Sequence, residues 1–67
     1  MELKPHEHRV VTERDELTEK LEKLEIFIKT SLFESLSIKD RNLLIEQGKL
    51  MDQYLSVLNE RIGRFVK

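Results

Sequence analysis

Val10, Leu17, Leu21, Leu24 and Ile28 follow one another at steps of seven, four, three and four residues. That spacing stacks them into one stripe of an α-helix; a half-buried strand would instead alternate apolar and polar residues. A second stripe repeats the rhythm further along, through Leu44, Met51, Leu55, Leu58, Ile62 and Phe65. Two such helices in one short chain cover each other by folding back, so the pattern predicts an all-α fold, an antiparallel helical hairpin.

The punctuation fits the rhythm. Pro5 suits the first turn of a helix, where its missing N–H would have had no partner, and places helix one over roughly residues 5–29. Ser37, with Asp40 three residues on, is a capping box that opens helix two over roughly residues 38–66. The linking stretch TSLFESL, residues 30–36, mixes corner-forming hydroxyls with two leucines and a phenylalanine. It reads as a short connecting helical turn packed under the hairpin, with Phe33 buried. Gly48 lies inside helix two at a cost of about 1 kcal/mol relative to alanine, which points first to a bend and second to close approach of another backbone.

Residues 1–67 make a single helical domain, and an 8.0 kDa chain buries only about 60 % of the surface it exposes when unfolded. Scaffolds of this size usually need disulfides, a metal or oligomerisation, and the chain has no cysteine. Val11, Ile26, Phe27, Ile45, Tyr54 and Val57 lie off the two stripes and are still apolar. Extra apolar faces need extra partners, so a homo-oligomer of hairpins is expected.

Charge excludes some partners. Twelve Lys and Arg stand against 13 Asp and Glu, a formal net charge of −1 with both signs interspersed, which does not suit a general DNA or RNA binder. No apolar run approaches the ~18 residues of a membrane span, and no secretory leader is apparent, so a soluble, cytoplasmic protein is expected.

Catalytic signatures are also missing. There is no glycine-rich phosphate loop, nucleophile elbow or EF-hand loop, and the second histidine of an H-E-x-x-H motif beginning at His6 would fall at Val10. His6 and His8 are two apart on a helix, so they point to different faces, and no third ligand accompanies them; neither metal nor cofactor is expected. Arg9, Glu16 and Lys23 share one heptad row, and His6, Glu13, Lys20 and Phe27 share the next. By spacing alone these rows form a charged outer surface with i,i+4 pairs such as Glu16 with Lys20 and Glu19 with Lys23.

The order of the residues adds a resemblance. HEHRVVTERDELTEKLEKLEIFI, followed by LFESLSIKDRNLLIEQGKLMDQYLSVLNERIGRF, resembles the phage anti-CBASS cyclic-nucleotide sponge family. The matching pieces are Arg9-Val10-Val11, Glu13-Arg14, Glu16-Leu17, Lys20-Leu21, Lys23-Leu24, Phe27-Ile28, Phe33, Ser35-Leu36, Tyr54, Val57-Leu58 and Glu60-Arg61-Ile62. They span nearly the whole chain. The resemblance implies a small helical protein, phage-encoded and acting in the host cytoplasm. It would assemble into a hexamer and sequester cyclic di- and trinucleotide signals without degrading them, blocking activation of CBASS effectors. The absence of a catalytic constellation is what such a role requires.

The family's cyclic dinucleotide pocket resembles one built from an aromatic residue near the start of helix one and a lysine further along it. Here a histidine, His8 or His6, stands nearest the aromatic position, with Lys23 or Lys20 as phosphate partner. Of these, His8 with Lys23 is favoured, and Arg9 is a second phosphate ligand. The substitution matters, because imidazole stacks over less area than a phenol ring, whereas a protonated imidazole adds a phosphate contact. For cyclic trinucleotides the implied contributors are Arg61 and Arg64, which three-fold symmetry would gather about one axis; compensation of the helix dipole is the rival account of both. Two other readings of the chain are an α-hairpin that binds a protein partner and no nucleotide, and an enzyme or nuclease fragment using Glu13, Asp15 and the histidines with a metal.

Overall fold

The computed structural model describes residues 2–65. Two long helices, α1 (Pro5–Ile28) and α3 (Ile38–Gly63), run antiparallel and are joined by a single helical turn, α2 (Ser31–Glu34). The result is a rod of 49 × 15 × 14 Å, the all-α hairpin with a helical connection that the two stripes predict. Helix one ends one residue earlier than expected, with Lys29 as its C-cap. Helix two ends at Gly63 with Arg64 as C-cap, and residue 66, where the sequence reading ended it, lies outside the described residues.

Each boundary has a local cause. Pro5 occupies the first helical position of α1, and the Glu7 carboxylate accepts a hydrogen bond from the Lys4 backbone N–H at 2.8 Å. The Glu7 N–H donates in return to the Lys4 carbonyl at 2.9 Å, and this cap could not be read from Lys4, which is not a capping residue type. At the corner the Thr30 hydroxyl donates to the Phe27 carbonyl at 2.6 Å and accepts from the Phe33 N–H at 3.3 Å. One side chain therefore satisfies the last turn of α1 and the first of α2 together. Ser37 caps α3 as predicted, its Oγ accepting from the Asp40 N–H at 3.2 Å.

The core is thin. Among the described residues Val10, Leu21, Phe33 and Leu58 are buried, and Leu58 alone is fully enclosed. The rest of both stripes is half-buried. Phe33 lies under the closed end of the hairpin, its ring edge-on to Phe27 with centroids 6.1 Å apart at 87°, a favourable arrangement for two aromatic quadrupoles. Gly48 is a point of contact: α3 runs through it without a break, and a β-carbon there would stand 3.4 Å from Leu24 Cδ2. The second of the two expectations for this glycine describes it, and the neighbour is a side chain, not a backbone.

The surface area measures what this thin core leaves undone. A compact folded protein of 8.0 kDa exposes roughly 4,500 Å², whereas this chain exposes 5483 Å². Ile26, Leu32, Ile38, Leu43, Ile45, Leu50, Tyr54 and Val57 are all exposed.

Candidate ligand-binding face

Three contacts fix how the long helices face each other. The Tyr54 phenol donates to the Glu13 carboxylate, Arg14 Nη1 donates to Asn59 Oδ1 at 3.0 Å, and Leu24 packs on Gly48. Glu13 and Arg14 are consecutive, so they leave α1 about 100° apart and reach α3 along opposite flanks of the seam. The Glu13–Tyr54 contact marks one flank of the hairpin, and Arg14–Asn59 marks the other.

Arg9, Lys20 and Lys23 share the Glu13 flank of α1 by their helical spacing. On α3 the same flank carries Leu43, Gln47, Leu50, Tyr54, Val57 and Arg61, which recur at steps of four and three. Leu43, Glu46, Gln47, Leu50, Met51 and Tyr54 line a shallow groove there. One face of the rod thus combines an apolar strip on α3 with Arg9, Lys20 and Lys23 on α1, interspersed with Glu13 and Glu16 of the same flank.

The remaining site candidates lie elsewhere. His6 is in the first turn of α1, in line with the inward stripe but exposed because the hairpin ends there; His8 is exposed on the outer side of α1, in line with Ile26. His8 and Lys23 are fifteen residues apart, about 22 Å along the helix axis. A single chain therefore does not bring this favoured pair together. Arg61 lies in the last turn of α3 and Arg64 caps it. The antiparallel fold brings both to the end of the rod that carries His6, His8 and Arg9.

All seven candidate side chains are exposed. Lys23 Nζ is 3.3 Å from Glu19 Oε1, the expected i,i+4 pair, while the expected Glu16–Lys20 pair is not formed. Among the described residues, Arg9, Lys20, Arg61 and Arg64 have no carboxylate within ion-pair distance. Their donors are free for an anion. Sequence reasoning overlooked Arg41, a half-buried residue whose Nε is buried without an acceptor; no motif surrounds it that would have signalled this.

Among the described residues no three His, Cys, Asp or Glu side chains cluster as metal ligands, and no helix is long and apolar enough to cross a membrane. Apolar area, a phenol hydrogen-bonded to Glu13, and guanidinium and ammonium donors stand side by side on this flank.

No curated protein and no solved structure matches the chain. The family model described as Sequestin matches residues 4–64, nearly the whole chain, and upholds the resemblance carried by the residues. The chain belongs to the Sequestin family, whose name denotes a sequestering role.

Proposed function

We propose that this protein is a phage immune-evasion sponge that captures cyclic di- and trinucleotide second messengers in a homo-oligomer and holds them intact, so that CBASS effectors in the host cytoplasm stay inactive. The observation that carries the reading is the set of cations Arg9, Lys20 and Arg61, on the flank of the α3 apolar strip and without an ion pair to the glutamates interspersed among them. A cyclic dinucleotide presents two phosphodiesters and two bases related by an approximate two-fold axis. Symmetric copies of one cation and one ring per chain match that layout. Base stacking contributes about 1–3 kcal/mol per base, and guanidinium or ammonium donors hold the phosphates. Cyclic dinucleotides are assigned to His8, His6, Lys23, Lys20 and Arg9, and cyclic trinucleotides to Arg61 and Arg64.

Assembly is part of the proposal, because one hairpin separates His8 from Lys23 and leaves its apolar strip in water. The reading requires a hexamer in which His8 of one copy comes near Lys23 of another. Capture without chemistry has a direct test: mix the protein with a cyclic dinucleotide, measure the melting temperature, then denature by heat and identify the released nucleotide. A ligand at a hundred times its dissociation constant stabilises the folded form by about 2.7 kcal/mol, so the melting temperature rises and the nucleotide returns unchanged. A linearised nucleotide would identify an enzyme instead. An unchanged melting temperature across a panel of cyclic oligonucleotides would favour a hairpin that docks on a protein partner.

A further inference from the structure

Of the three phenylalanines and one tyrosine in the chain, Tyr54 is the one whose ring stands in water. It is 44 % exposed, whereas Phe33 is buried and Phe27 and Phe65 are half-buried. The ring is also tethered, because its hydroxyl donates to Glu13 Oε2 across the seam. A ring already held in place loses little freedom when a ligand packs on it. Leu50 and Met51, one turn earlier on α3, line the same groove as Tyr54 and give that groove an apolar edge.

The register of the helices says what lies on either side of the ring. Leu24 packs on Gly48, which sets Tyr54 at the axial level of residue 18. Lys20 is then about 3 Å away along the rod and Glu13 about 7.5 Å away in the other direction. Glu13 and Lys20 fall in one heptad row beside the seam, with Glu16 about 60° further out. The order along this flank is therefore carboxylate, ring, ammonium, and Lys20 has no ion pair among the described residues.

We infer that Tyr54 and Glu13 form a base subsite: one nucleobase stacks on the exposed face of Tyr54, its exocyclic amine donates to Glu13, and Lys20 meets the adjoining phosphate. The inference rests on the capture of cyclic dinucleotides proposed above. Glu13 has acceptor capacity to spare, since a carboxylate offers about four lone-pair sites and Tyr54 is the hydrogen-bond donor it has in the structure. An ionised carboxylate only accepts, so it selects bases that present an amine, namely adenine, guanine and cytosine. Uracil presents carbonyl oxygens at its edge, which the carboxylate repels. His8 and Lys23 lie far apart in one hairpin, whereas Tyr54 and Lys20 of the same hairpin are neighbours.

The chain has one tyrosine and no tryptophan, so tyrosine labelled with carbon-13 gives one set of ring signals, all from Tyr54. On titration with cyclic diadenylate these signals are expected to move upfield and to show nuclear Overhauser contacts to adenine protons. By calorimetry Tyr54→Leu is expected to weaken cyclic diadenylate at least about fivefold, the lower bound for one stacked base, while Tyr54→Phe, which keeps the ring, stays closer to wild type. Wild type is expected to prefer cyclic diadenylate over cyclic diuridylate, and Glu13→Gln to narrow that preference, because an amide also donates. Tyrosine signals unmoved at saturation with cyclic diadenylate would overturn the subsite while leaving capture standing, as would a helical Tyr54→Leu protein that binds like wild type. Equal affinity of wild type for the two nucleotides would overturn the reading of the base by Glu13. A wild type that binds neither would overturn capture and the subsite together.

Discussion

Leu24 Cδ2 stands 3.4 Å from the point a β-carbon on Gly48 would occupy. That separation is ordinary van der Waals contact, and among the described residues no glycine has a positive φ. Nothing in the fold requires the glycine, which costs about 1 kcal/mol relative to alanine inside a helix. Gly48→Ala is expected to stabilise the protein by up to about 1 kcal/mol, and Gly48→Leu to destabilise it by driving a branched side chain into Leu24. Urea midpoints for the two variants check both signs.

Leu58 and Phe33 hold the two regions of greatest enclosure. Leu58 is 0 % exposed at the seam and Phe33 is 7 % exposed under the connection. Truncating a fully buried leucine costs about 2–5 kcal/mol, and a phenylalanine about 3–5 kcal/mol. With so few other buried residues to share the load, either alanine variant is expected to lose cooperative thermal unfolding at low protein concentration. An exposed leucine of the same size, Leu32, is the control, and its alanine variant is expected to melt close to wild type.

Thr30 gives a finer test of the corner. Its hydroxyl serves Phe27 and Phe33 at once, so Thr30→Ala removes two hydrogen bonds and is expected to cost about 1 kcal/mol, while Thr30→Ser keeps most of that. Equal melting temperatures for the two variants would show that the corner is held by Phe33 packing alone.

Selectivity between ligands separates the two proposed sites. Lys23 and Arg61 are exposed, and surface substitutions of this kind change stability by less than about 0.5 kcal/mol. Calorimetric titration is therefore expected to find Lys23→Ala weaker for cyclic dinucleotides than for trinucleotides, and Arg61→Ala the reverse, with both variants as stable as wild type. Equal losses for both ligand classes from both variants would merge the sites into one.

Much of the architecture was legible because it depends on local rules. Pro5, Ser37 and the two stripes place the helices within a few residues, since caps and periodicity act over one or two turns. Phe33 announced itself as an aromatic in a polar corner. Gly48 was misjudged in emphasis, because a sequence shows the cost of a helical glycine and not the Leu24 side chain it faces. The partnership of Glu13 with Tyr54 was beyond reach for a different reason: a stripe says which face of each helix turns inward, not on which side of the seam their flanks meet. For the same reason Arg9, Lys20, Lys23 and Arg61 could be named one by one, whereas their common flank emerged only with the tertiary fold. The separation of His8 from Lys23 was calculable from helical rise.

Native mass spectrometry of the protein mixed with a cyclic dinucleotide tests the central claim most directly. The account predicts an ion at a whole multiple of 8.0 kDa plus whole numbers of intact nucleotides, with a hexamer the expected species. An unliganded ion at the mass of one chain, under conditions where a known cyclic-dinucleotide binder retains its ligand, would contradict it.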